Sequence, residues 1–123
     1  MEKNRWFDER YLAFGAAAVR LLPKLPNNKV GSHLGDQLFR SATSIGAHLQ
    51  ESRGAESRPD FIHKLGIALK EAREARYWLA LIHRAGVLPE HEIQEMVTEA
   101  EAIVAMLTKS VITAKANGGH VKS

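Results

Sequence analysis

The sequence predicts an all-α protein, an antiparallel up-down-up-down four-helix bundle. Three observations carry this. Four segments repeat their apolar residues every three or four positions, the period of a helix with one buried face. Three clusters of Pro, Gly, Asn and Ser separate them. No segment shows the apolar/polar alternation of a half-buried strand. Short connections between long helices favour antiparallel neighbours.

The first segment runs from about Asp8 to Leu22. Tyr11, Phe14, Ala18, Leu21 and Leu22 form its stripe, and Asp8 is the expected N-cap. Pro23 and Pro26 bracket its end, and Asn27-Asn28 continues the loop. The second segment runs from about Gly31 to Arg53, with Leu34, Leu38, Ala42, Ile45 and Leu49 on one face and Phe39 beside it. Ser41, Ala42, Thr43, Ser44, Gly46 and Ala47 make its middle small. Gly46 costs about 1 kcal/mol of helix propensity relative to Ala, so close packing of another helix is the expected compensation. The hydroxyls of Ser41, Thr43 and Ser44 are expected to satisfy backbone carbonyls of their own helix.

The third segment opens with Ser57 as cap and Pro59 in the first turn. Phe61, Leu65, Ala68, Leu69, Ala72, Ala75, Leu79 and Ile82 carry it to about Ala85, and Gly86 stops it. The fourth begins at Pro89 or Glu90, with Ile93, Val97, Ala100, Val104, Leu107 and Val111 as its stripe. Acidic residues crowd its first half and Lys109 and Lys115 its last part, an order that suits the helix macrodipole. Asn117-Gly118-Gly119 is the expected end. Residues 1–117 then form one domain, and residues 118–123 a flexible tail.

Composition fits this picture. Of 123 residues, 45% are hydrophobic and 25% charged, which excludes a disordered chain, a collagen and a disulfide scaffold. Cys is absent, so no disulfide, thiolate metal site or Cys nucleophile exists. The charged start lacks a signal-peptide core, and no apolar run reaches the roughly 20 residues of a membrane helix. The expected setting is a bacterial or archaeal cytoplasm.

Some helices are apolar over more than one stripe. Ile62, Ile67 and Trp78 lie off the main face of the third, and Met96, Ile103, Met106 and Ile112 off that of the fourth. These residues either widen a single buried stripe or meet another subunit.

Catalytic patterns are weak. A di-iron bundle wants two Glu-x-x-His pairs, and the chain has none. The six His form no His-x-x-x-His pair, and most read as surface or cap residues. Gly-x-Gly-x-x-Gly and the phosphate-loop pattern are absent. Glu71 and Glu74 could do acid–base work, yet Lys70, Arg73 and Arg76 beside them make ion pairing the simpler reading. The chain is therefore read as no enzyme, with no metal and no cofactor.

The net charge is +3, polarised from +3 over residues 1–29 to −2 over residues 87–123. Arg53 and Arg58 flank the second loop. Lys64, Lys70, Arg73, Arg76 and Arg84 run along the third helix, and Lys3, Arg5 and Arg10 accompany Trp6 at the start. Cations near an aromatic can hold phosphates and stack on bases. Arg53, Arg58, Lys64, Lys70, Arg73, Arg76 and Arg84 are the candidate nucleic-acid-binding residues, against the alternative of a salt-bridged solvent face.

The run QLFRSATSIGAHLQESRGAESRPDFIHKLGIALKEAREARYWLALIHRAG resembles the four helix bundle protein family, once labelled ribosomal, whose members are encoded in intervening sequences of bacterial large-subunit rRNA genes and elsewhere. Arg40, Ser41, Ser44, Ile45, Glu51, Phe61, Ile67, Ala68, Leu69 and Glu74 match its pattern, and Tyr77-Trp78-Leu79 looks like one branch. His48-Leu49-Gln50-Glu51-Ser52 departs from the usual Asn-Ile-Ala-Glu-Gly run, and Gly46 replaces a common Pro. The resemblance implies a homopentamer of antiparallel bundles. It also implies kinship with the accessory variability determinant of diversity-generating retroelements, a basic pentamer that binds nucleic acid and a reverse transcriptase. RNA or DNA and a reverse transcriptase are the partners it suggests, and a protein-interaction scaffold without nucleic acid is the alternative. Arg40, Glu51 and Glu74, polar at family-matching positions, are expected either to form a charge-assisted network at a helix or subunit contact or to stand as separate solvated groups.

Overall fold

The structure, a computed structural model, describes the backbone of residues 2–122 and the side chains of residues 8–117. Four α-helices and one 3₁₀ turn make up its regular structure: α1 (Glu2–Leu21), the 3₁₀ turn Leu22–Lys24, α2 (Lys29–Arg53), α3 (Arg58–Arg84) and α4 (Glu90–Lys122). No strand occurs among the described residues. Each helix packs on the next in sequence, and a thinner α1–α4 seam closes the bundle. Pairings between helices give the register. Asp8 meets Arg53 across α1–α2, Arg40 meets Glu74 across α2–α3, and Arg10 meets Glu99 across α1–α4. Each is an antiparallel match, so the up-down-up-down bundle read from the sequence is the fold.

The predicted stripes converge on one core. Leu38, Ile45, Leu79, Ile82, Ile93 and Ile103 are the large side chains at its fully buried centre. Ala18, Ala68, Ala75 and Ser41 are also fully buried, and their small size lets the helices close in. At Gly15 and Gly46 the backbones of α1 and α2 approach. An added Cβ would lie 3.7 Å from Thr43 Cα and 3.5 Å from Tyr11 Cβ respectively, ordinary contact distances. Gly46 therefore sits at the close approach that its helix-breaking character led us to expect. The hydroxyls of Ser41, Thr43 and Ser44 return to the carbonyls of Gln37, Phe39 and Arg40 at 2.9, 2.6 and 2.5 Å.

Several boundaries differ from the sequence reading. Helix α1 begins at Glu2, so Asp8 is no cap; it lies within the helix and accepts a hydrogen bond from Arg53. No helix breaker stands between Glu2 and Asp8 to stop the earlier start. Asn28, assigned to a loop, is the N-cap of α2, and its side chain accepts from Gly31 N at 3.0 Å. That bond starts α2 at Lys29, two residues before the expected position. Ser57 caps α3 as expected, and Gly86 ends it with φ +68°, a left-handed conformation glycine adopts without strain. Helix α4 continues past Asn117-Gly118-Gly119 to Lys122, because two glycines weaken a helix without forbidding it. The expected flexible tail falls on residues whose side chains lie outside the described ones.

Of the apolar residues placed off the main stripes, Met96 and Ile103 are core, and Ile62, Trp78 and Met106 pack against it. Within the chain these five widen the buried face, and Ile67 is half-buried. Ile112 is exposed.

Gly31 is the least replaceable glycine. A Cβ there would fall 1.8 Å from the Pro26 carbonyl oxygen, and this is backbone that cannot step aside. Gly31→Ala is expected to destabilise the chain by about 2–3 kcal/mol through overpacking of the α1–α2 turn. Denaturant unfolding checks it, with Gly66→Ala as the control, since a Cβ at Gly66 meets nothing within 4 Å.

Acid should weaken the α1–α4 side. Lys24 Nζ donates to Glu92 Oε2 at 2.6 Å, and this hydrogen bond holds the Glu92 carboxyl below its ordinary value. A depressed folded-state value means stability that is present above the unfolded value, about 4.3, and lost as the pH falls through the folded one. Wild type and Lys24→Met are therefore expected to differ in thermal midpoint at pH 6 and to converge as the pH falls through the depressed Glu92 value. A difference that persists in acid strong enough to protonate Glu92 would show that the lysine acts otherwise than through this ion pair.

Candidate nucleic-acid interface

The outward face of α3 is built by helical spacing. Gly66, Lys70, Arg73, Tyr77 and Arg84 follow one another at intervals of four, three, four and seven, so they share one side of the helix. The buried stripe of Leu65, Ala68, Leu69, Ala72, Ala75, Leu79 and Ile82 takes the other side. Lys70, Arg73, Tyr77 and Arg84 are exposed. Antiparallel packing lays α2 alongside, and between the two helices opens a groove of about 530 Å³. Gln37 and Arg40 form its α2 wall, and Lys70, Arg73, Glu74, Tyr77 and Trp78 its α3 wall. Gly66, with no side chain, leaves one end open.

Charges in the groove are unequally committed. Arg40 donates to Gln37 Oε1 at 3.0 Å and lies 3.6 Å from Glu74 Oε1 across the helix boundary. Among the described residues Lys70, Arg73, Arg76 and Arg84 have no ion pair. The carboxylates that the sequence places beside them point elsewhere. Glu74 turns to Arg40, and Glu71 Oε2 faces His48 Nε2 at 3.7 Å. The expected pairing of Glu71 and Glu74 along their own helix is therefore replaced by contacts across to α2. Helical spacing alone offered the local partners; the antiparallel register brought closer ones.

The aromatic groups are ordered. Tyr77 meets Trp78 edge-on, ring centroids 5.0 Å apart at 79°, and Trp78 meets His33 at 5.8 Å and 83°. Trp78 is half-buried against the core, whereas Tyr77 is 59% exposed. An aromatic face is thus fixed by its neighbours and turned to solvent beside two uncommitted cations.

The remaining predicted cations are dispersed. Arg53 pairs with Asp8, and Lys64 with Asp60 at 3.2 Å. Arg58 lies 5.7 Å over the Phe61 ring at the far end of α3. Arg53 and Arg58 share a second groove with Lys109, away from Lys70 and Arg73. Arg10 makes a two-pronged contact with Glu99 at 2.7 and 2.9 Å, so it fastens α1 to α4. Lys3, Arg5 and Trp6 lie outside the residues whose side chains are described.

The expected trio of Arg40, Glu51 and Glu74 is likewise divided. Arg40 and Glu74 meet, while Glu51 is 3.7 Å from His48 Nδ1, about three helical turns along α2. His48 is half-buried and sits between two carboxylates, and Glu71 Oε1 is buried without a hydrogen-bond partner among the described residues. Sequence reasoning also missed Gln37 and Tyr77 as groove residues. A signal for Tyr77 existed: it falls off the apolar stripe and onto the Lys70–Arg73 stripe. Among the described residues no three His, Asp or Glu side chains gather as a metal would require, and no helix is long and apolar enough to cross a membrane.

Comparison with known proteins adds a family likeness. A family model described as 23S rRNA-intervening sequence protein matches residues 10–109, a stretch spanning α1 to α4 and the whole groove. A solved structure from Bacteroides thetaiotaomicron VPI-5482, a protein of unknown function from the S23 ribosomal protein family, is similar in fold with a TM-score of 0.77. It is 36% identical in sequence, and the match covers 85% of this chain and 96% of that one. No curated protein matches the chain.

Proposed function

The chain belongs to the 23S rRNA-intervening sequence protein family, and from that premise we propose that it is a non-enzymatic, cytoplasmic nucleic-acid-binding accessory protein that works as a homo-oligomer. The observation that carries this reading is the pairing pattern on α3. Lys70, Arg73, Arg76 and Arg84 are exposed and without ion pairs among the described residues, and Tyr77 stands among them with its ring exposed. A solvated structural face would spend such cations on the carboxylates next to them. Here those carboxylates serve α2, which leaves the cations for phosphates.

Oligomerisation strengthens the field. Leu12, Val19, Phe39 and Ile112 are exposed apolar side chains suited to subunit contacts. A ring of five copies, the assembly we favour, would carry a net charge of +15 and repeat the α3 groove around its axis. A reverse transcriptase is the protein partner that fits such a role.

The same exposed apolar side chains favour a second reading, a protein-interaction scaffold that binds no nucleic acid. Salt dependence separates the two. Purified protein is titrated with labelled RNA and DNA across a salt series, and the mass of the assembly is measured in the same buffers. Micromolar or tighter binding that falls steeply with salt supports the nucleic-acid reading. An intact oligomer that binds neither polymer at low salt overturns it and leaves the scaffold.

A further inference from the structure

We propose that the α2–α3 groove takes single-stranded nucleic acid, with an unpaired base stacked on Tyr77 and the adjoining phosphates on Lys70 and Arg73. This rests on the nucleic-acid reading above and says which form is bound.

Three observations lead there. The first is the shape of the surface. Reading a duplex by its bases requires an element that enters a major groove about 12 Å wide. Helix α3 packs against α2 on one side and α4 on the other, so it projects as no lone recognition helix. Neighbouring helices lie about 8–10 Å apart, so α3 with either flank is wider than the groove it would have to enter. What the surface offers instead is a concave channel between α2 and α3.

The second is the Tyr77 ring. The Tyr77 hydroxyl can donate to a phosphate, but its exposed ring face finds no partner there, and in a duplex the base faces are hidden from it. In a single strand every base has a free face, and stacking on an aromatic is the main sequence-tolerant contact. Tyr77 is already held edge-on by Trp78, itself held by His33, so little freedom is lost when a base covers it.

The third is the arrangement around the ring. Lys70 and Arg73 precede Tyr77 by two turns and one turn, and Arg84 follows by two. Lys70 to Arg84 spans about 21 Å along the axis, enough for a few nucleotides. Gln37, Arg40 and Glu74 line the groove beside the ring and offer both donors and acceptors to base edges.

The test compares single-stranded RNA, single-stranded DNA and a duplex of the same sequence. Binding of each is measured by anisotropy at two salt concentrations to wild type, Tyr77→Ala and Tyr77→Trp. Circular dichroism and assembly mass establish that each variant folds. Wild type is expected to prefer the single strands. Tyr77→Ala should weaken single-strand binding about tenfold and leave duplex binding unmoved, and Tyr77→Trp should retain affinity. The two single-stranded arms tell RNA from DNA. Binding of duplex as tight as single strand, unaffected by Tyr77→Ala, would overturn the single-strand inference and keep the nucleic-acid reading. Binding of none of the three polymers would overturn both.

Discussion

Leu79→Ala is expected to lower the stability of the folded chain by about 3–4 kcal/mol, the largest effect of any conservative truncation in α3. Leu79 is 0% exposed at the centre of the bundle. Its neighbours Ala75 and Ala72 are small, fully packed and on helical backbone, so they cannot swing in to fill the void. The cost therefore includes both the lost transfer free energy and the residual cavity. For a chain of this length, the thermal midpoint should fall by roughly 10–15 °C. Leu12→Ala is the matched control. Leu12 is 67% exposed, so within a single chain its truncation should change stability by less than about 0.5 kcal/mol. Unfolding of both variants by denaturant decides the matter. A loss below 1 kcal/mol at Leu79 would contradict the position of the core. A large loss at Leu12 that grows on concentrating the protein would place α1 in a subunit contact.

Reversing two charges in the groove should have the largest effect on binding. Lys70→Glu combined with Arg73→Glu turns two attractive contacts into repulsive ones, and neither residue has an ion pair among the described residues whose loss would disturb the fold. Each exposed charge is worth about 1 kcal/mol toward a nearby phosphate before screening, so affinity should drop on the order of 100-fold at low salt. The salt slope should flatten by about 1.4 for a single strand, the release expected for two phosphates. The same reversals at Arg53 and Arg58 should do less. Arg53 is already held by Asp8, and Arg58 lies over Phe61 in a separate groove. Equal losses from both pairs would mean a diffuse electrostatic surface rather than a site between α2 and α3.

Much of the fold was legible in the order of residues. Ser57 before Pro59, Gly86 after Arg84 and the spacing of apolar positions gave α3 nearly residue for residue. The failures share a cause. Asp8 was expected as a cap and Asn28 as loop, because each is judged locally by residue type, while helix starts are chosen by competition among nearby caps. Ile103 and Met96, off the main stripe of the fourth segment and open to two readings, are core because α4 is buried by two neighbours.

The candidate site was legible in parts. Lys70, Arg73, Arg76 and Arg84 stood out as cations on one helix, but Arg53, Arg58 and Lys64 stood out equally. The structure separates them by what lies opposite. Asp8 reaches Arg53 from α1, and Asp60 reaches Lys64 one turn back. Glu74, which the sequence sets beside Arg73, is taken by Arg40 from another helix.

By itself the sequence determined that this chain is four helices with one apolar face each, because helix period, capping and breaking are properties of residues within a few positions of one another. The tertiary structure decided which cations are neutralised, which aromatic is left exposed and where the groove opens. Those depend on the antiparallel register of α2 against α3, which is set by the packing of Leu38, Ile45, Leu79 and Ile82 in the core and couples residues more than thirty positions apart.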